Sequence, residues 1–269
     1  MDPREREGKG YKVTYTSPFH GEVWTLSTPI QHEREGQRLF LVEDGFKGGV
    51  GSVNFSMKNT VNRLGERVGG WNLPSFDGSF DVCILDKPES VANNLRNWRR
   101  GWSQFHDGII QVIATDGAGY WCNARLDSFG DIPRDPQGTQ PLLDSINWVC
   151  HDGCWFGETK EYAGSAVVKP AGDVEASARI AWDGQATTLR NPYGESISLP
   201  NVGSQRYLDV NRGMYGHITF PDGTTDLSTW RALRASLAGI TMEPGKEYGW
   251  NFGAGLTLEV TDRWLSPWG

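Results

Sequence analysis

The sequence predicts a mainly β protein in two domains, on three observations. Glycine occurs 34 times in 269 residues. Glycine takes the positive φ of tight turns at little steric cost, so the chain is rich in turns and therefore in short strands. Short apolar runs recur between those turns, and only one segment shows strong helical periodicity. In the second half, turn signals separate short strands in the manner of an antiparallel sandwich. The length exceeds that of one ordinary domain, which makes two the expected number.

Residues 1–10, MDPREREGKG, are charged and lack an apolar core, so they are expected to form a mobile tail and not a secretory leader. Strands are expected at Tyr11–Thr16 and Glu22–Thr28, then at Arg38–Val42, ended by Asp44-Gly45. Val53–Met57 alternates as a half-buried strand does, and Phe80–Leu85 follows. Gly45–Gly51 (GFKGGVG) lacks the Gly-Lys-Ser/Thr of a phosphate loop and is read as a flexible turn.

The helix is expected over Pro88–Phe105. Val91, Leu95, Trp98, Trp102 and Phe105 recur at three- and four-residue spacing and share one face. Asp86 and Glu89 form a capping pair, and Pro88 suits a first turn. After it, Gly108–Ala114 and Tyr120–Leu126 flank Asp116–Gly119 as a hairpin, Asp127–Asp144 is a loop, and Ile146–Cys150 is a strand.

Residues 158–171 are polar and small and end near Lys169-Pro170, so they read as a linker between a first domain (11–157) and a second (172–269). Seven short strands are expected in the second: Ala178–Trp182, Glu195–Leu199, Arg206–Val210, Gly216–Phe220, Gly239–Met242, Tyr248–Phe252 and Leu256–Thr261. Turns such as Asp183-Gly184, Arg212-Gly213 and Pro244-Gly245 separate them, and Asp226–Arg234 reads as one or two helical turns.

Composition narrows the function. Hydrophobic residues make up 38% of the chain and the net charge is -7 with no dominant basic patch, which argues for folded cores and against a nucleic-acid partner. No apolar run approaches the roughly 20 residues of a membrane span. Cys83, Cys122, Cys150 and Cys154 are too few and scattered for a disulfide scaffold, so they read as reduced, buried side chains of a protein made in a cytoplasm.

The stretch Trp148–Phe156 (WVCHDGCWF) tests for metal. Cys150, His151 and Cys154 are spaced tolerably for zinc, but no second ligand pair stands out, and a closed zinc site needs four ligands. Asp152-Gly153 is instead a two-residue turn signal, which would set Cys150 opposite Trp155 and His151 opposite Cys154. No metal or cofactor is expected. No Gly-x-Ser-x-Gly elbow frames a nucleophile, and no carboxylate pair is singled out, so no catalytic residue is assigned and an enzyme is not expected.

Two stretches carry a family resemblance. Gly172–Gly184 (GDVEASARIAWDG) resembles the first strand of the C-terminal domain of siphophage distal tail proteins. Tyr207–Gly223 (YLDVNRGMYGHITFPDG) resembles a later run of the same family: an apolar-Asp pair, a glycine turn and a strand ending in Asp-Gly. TTDLSTWRALR and ITMEPGKEYGWNF continue the likeness. In the first half, strands, one helix and a hairpin come in the family's order, and Asp152-Gly153 stands where the family has Asp-Pro.

The resemblance implies a split β-barrel with one α-helix, over 11–157, followed by a galectin-like or carbohydrate-module-like sandwich. It implies a structural virion protein: a hexameric ring at the distal end of a long non-contractile tail, joining the tail tube to the tail tip or baseplate hub and other minor tail proteins. Trp98, Trp102 and Phe105 are the residues expected to serve packing and assembly. The alternative is a lectin-like tail module that holds host cell-wall sugar, with Trp182, Trp230 and Trp250 as stacking aromatics.

Overall fold

The computed structural model describes residues 10–19, 21–34, 36–59, 66–114, 116–131, 141–211, 217–234, 236 and 239–268. The expected tail up to residue 9, much of the 127–144 loop and the Arg212-Gly213 turn lie outside the described residues. The protein is mainly β. It divides into unit 1, Met1–Phe156 with Leu265–Gly269, and unit 2, Gly157–Trp264.

Unit 1 begins with β1 (Lys12–Thr16), β2 (Val23–Ser27), the single turn α1 (Gln31–Arg34) and β3 (Leu39–Gly48). It continues through β4 (Asn54–Asn59), β5 (Glu66–Asn72), β6 (Phe76–Ile84) and α2 (Val91–Arg100). It ends with β7 (Gly108–Ile113), β8 (Gly119–Phe129), β9 (Leu142–Cys150) and the start of β10 (Trp155–Tyr162). Seven of these strands are antiparallel in the order β2-β1-β7-β8-β9-β6-β3.

Strand β8 turns the corner: its first half pairs with β7 and its second with β9, with a bulge after Leu126. The end strands β2 and β3 approach each other without pairing among the described residues. The barrel is therefore open along that seam, not closed.

Period-two burial builds the inner face. Along β6, Phe76, Gly78, Phe80, Val82 and Ile84 point inward. Gly78 faces Trp148 across the ladder, and the Trp148 ring occupies the place a Cβ would take, so only glycine fits there. The glycine-rich 45–51 segment is not a flexible turn as expected. Its first four residues continue β3, with Phe46 opposite Phe80 beyond a bulge.

The helix is shorter than its periodicity predicts. Ser90 caps it, accepting from the Asn93 amide, while Asp86 accepts from the Val91 amide. Val91, Leu95 and Trp98 are buried. The helix stops at Gly101 because the Tyr15 and Ser17 hydroxyls donate to the Gly101 carbonyl at 2.9 and 2.8 Å. Trp102 then leaves the helix and stacks on Tyr15 at 3.7 Å. The Ser103 hydroxyl accepts from the Phe105 and His106 amides and turns the chain outward.

The WVCHDGCWF stretch is a strand end and a turn, but not a hairpin. β9 lies between β6 and β8, and β10 pairs with β8 through Phe156 and Trp121. Cys150 is therefore not opposite Trp155, nor His151 opposite Cys154. Gly153 sits at φ 70, and a Cβ there would strike the Pro74 carbonyl at 2.6 Å.

Unit 2 holds the rest of β10, then β11 (Ser165–Val168), β12 (Val174–Trp182), β13 (Thr187–Arg190) and β14 (Ser196–Leu199). β15 (Arg206–Asp209), β16 (Ile218–Thr219), α3 (Leu227–Leu233), β17 (Tyr248–Phe252) and β18 (Leu256–Trp264) follow. One sheet runs β16-β15-β12-β18-β10 and the other β11-β17-β13-β14. Ile180, Trp182 and Leu258 from the first meet Leu189, Leu199 and Phe252 from the second in one core, which makes a sandwich.

Two expectations fail here. Residues 158–171 are strand over most of their length, carrying most of β10 and all of β11, because β10 pairs with β18 and β11 with β17. The expected strand at 239–242 is reduced to one bridge, Asn211 to Ile240.

Candidate assembly surface

Among the described residues, the sequences NFSMKN (β4) and ERVGGWN (β5) pair only with each other. In register, Phe55 faces Trp71 and Met57 faces Val68. Opposed residues share a face. Val68 and Trp71 are three apart, so an unbroken ladder would put them on opposite faces. The bulge between Ser56 and Met57 admits one extra residue and restores the phase. Four apolar side chains thus lie on one face of a two-stranded ribbon, 40–58% exposed. Val53–Met57 was expected to be half-buried on one face, yet Phe55 and Met57 are 55% and 53% exposed. Both outer edges of the ribbon also lack strand partners among the described residues.

The expected packing residues divide. Trp98 is fully buried, edge-on to Tyr15, Trp24 and Trp102 at 5.9, 5.5 and 5.5 Å. Trp102 is buried in the same cluster. Both are core side chains with no surface to offer a partner. Phe105 is 82% exposed, because the helix ends before it, and so takes no part in the core.

Two of the three proposed sugar-stacking rings are not available. Trp182 and Trp250 belong to the sandwich core. Trp182 donates its indole N–H to the Gln185 carbonyl at 2.7 Å. Trp230 is half-buried against the same core, with the Arg234 guanidinium 5.5 Å from its ring centre.

The three thiols near the WVCHDGCWF turn are buried, whereas His151 is exposed, so the imidazole and the thiols face different surroundings. Burial pushes the Cys122 thiol up, and its hydrogen bond to Cys150 adds to this. Cys150 donates to the Cys154 carbonyl at 3.7 Å. Among the described residues, no group of three or more His, Cys, Asp or Glu is placed to hold a metal ion.

Sequence reasoning missed the ribbon face. Its signal was faint: β4 alternates visibly, but Gly69-Gly70 hides β5, and a bulge hides the shared face.

No known family model and no curated protein matches this chain by sequence. Solved structures do match its fold. The crystal structure of phage SPP1 Dit, described as a paradigm of the hub adsorption apparatus in phages infecting Gram-positive hosts, aligns with a TM-score of 0.58 at 12% identity. That alignment covers 95% of this chain and 99% of the other. A chain of the phage P2 baseplate in its activated conformation with Ca aligns with a TM-score of 0.50 at 5% identity, over 94% and 98% of the two chains. The split barrel and sandwich described above are thus the fold of SPP1 Dit, over nearly the full length of both chains.

Proposed function

We propose that this protein is a structural component of a phage tail. It forms a hexameric ring at the distal end of a long non-contractile tail, between the tail tube and the tail tip or baseplate, after synthesis in the host cytoplasm. The β4–β5 ribbon is the observation that carries the ring. A lone two-stranded hairpin is marginal in water, and open strand edges beside an apolar face invite pairing with another chain. This ribbon has two such edges and four exposed apolar residues on one face. In a head-to-tail ring, one subunit's β4 edge meets the next subunit's β5 edge, and the contact closes on itself when the rotation closes. The shared fold with a protein of the hub adsorption apparatus supports the location.

Light scattering after size exclusion tests the ring. The expected mass is six times that of the 29.9 kDa chain. A wild-type chain that stays monomeric at every concentration, and is absent from purified virions by mass spectrometry, overturns the reading.

A further inference from the structure

Two depressions compete as ligand sites. One, of about 460 Å³ in unit 1, is lined by Lys12, Glu22, Glu33 and Arg38 among others. Its charges satisfy one another: Lys12 pairs with Glu33 at 2.9 Å and Arg38 with Glu22 at 2.8 Å. The other, of about 330 Å³, lies in unit 2 on the β11-β17-β13-β14 sheet. Ser165 faces Asn251 across β11 and β17, and Asn251 faces Arg190 across β17 and β13. All three are exposed, on the sheet face turned away from the core. Between them and Val167, Gly249 leaves open space where a side chain would stand.

The rim is prebuilt. Buried Asn191 accepts from the Tyr193 and Glu195 amides, both at 3.0 Å, and donates to the Glu195 carboxylate at 2.8 Å. The loop so fixed offers the Gly194 carbonyl to Arg190 Nε at 3.1 Å, which orients the guanidinium. Its terminal nitrogens have no carboxylate partner among the described residues. Tyr193, between the lining residues Pro192 and Gly194, is 63% exposed.

We propose that this face binds a saccharide bearing a carboxylate or phosphate group. An oriented guanidinium with its outer fork free matches a planar or tetrahedral anion. Asn251 and Ser165 supply amide and hydroxyl groups at the spacing of neighbouring strands, suited to ring hydroxyls. Tyr193 offers an apolar ring face at the edge, and the volume is that of a small-ligand site. Of the tryptophans expected for sugar stacking, Trp250 lines the depression, but its ring is buried in the sandwich core; the site does not depend on the ring of subunits.

The test titrates the full chain with four probes: N-acetylmuramic acid, glucose 1-phosphate, N-acetylglucosamine and inorganic phosphate. Saturation-transfer NMR reads the sugars and calorimetry reads all four. The two acidic sugars are expected to bind more tightly than the neutral sugar or phosphate. Arg190→Ala is expected to weaken them about tenfold, the scale of a lost charge-assisted pair. Tyr193→Ala and Asn251→Ala should each weaken them with no change in Tm or in solution mass. Saturable binding that survives Arg190→Ala overturns the site. Phosphate binding as tightly as the acidic sugars reduces it to an anion site and overturns the saccharide. No saturable signal from either acidic sugar overturns the proposal, whatever the solution mass shows about assembly.

Discussion

Single side chains divide the molecule into places that resist change and places that do not. Trp98→Ala removes a fully buried indole from the unit 1 aromatic cluster and is expected to cost about 3–5 kcal/mol, read as a fall in the denaturant midpoint at constant m. Phe105→Ala, only seven residues on, is expected to stay within about 0.5 kcal/mol of wild type. Sequence periodicity put both on one helical face. Trp98 was legible because its neighbours Val91 and Leu95 repeat the pattern inside the helix. Phe105 was not, because the helix is ended by hydroxyls of Tyr15 and Ser17, over eighty residues distant in sequence. In unit 2, Asp226 caps α3 and pairs with Arg206 at 2.8 Å. Burial pushes its carboxyl up, but Arg206, the Thr229 amide and the Ser228 and Thr229 hydroxyls outweigh that and hold it well below the ordinary value of 3.8. A carboxyl depressed in the folded state contributes its stability above the unfolded value and loses it as pH falls through the folded one. Asp226→Asn should therefore cost about 3 kcal/mol at neutral pH and flatten the loss of stability below about pH 4. An unchanged acid limb would show that Arg206 finds another partner.

Among elements, the β4–β5 ribbon is where stability and the proposed assembly separate. Phe55→Asp with Val68→Asp places two charges on a face that covers no core, so Tm should stay near wild type while the solution mass falls to that of one chain. A coupled fall in Tm at low concentration would instead make the ribbon part of the fold. Strands with strong alternation or clean turn signals, such as β12, β17 and the β7–β8 hairpin, were legible from sequence. β5, β11 and β13 were not. Each is short, polar or glycine-bearing, and its strand character comes from the neighbour it pairs with. The reading of 158–171 as a linker failed for the same reason: a largely exposed polar strand looks like a loop when its partners, β17 and β18, lie some ninety residues away.

For the whole molecule, the two units predict how it can be cut. Residues 157–264 contain both sheets of the sandwich and should melt cooperatively by circular dichroism as an isolated fragment. Residues 172–269 lack β10 and β11 and should not. Equal melting of the two fragments would show those strands to be dispensable. Unit 1 is in two pieces along the chain. Leu265 accepts from the Gly51 amide at 2.7 Å, and Trp268 packs edge-on to Tyr11 and Phe46 at 4.8 and 5.2 Å. On the ribosome this interruption imposes a schedule. The sandwich is one continuous stretch and is able to fold as soon as it emerges, whereas the barrel begun before it waits, unsealed, for a tryptophan translated more than a hundred residues later. A nascent chain stalled inside the sandwich therefore carries no finished barrel.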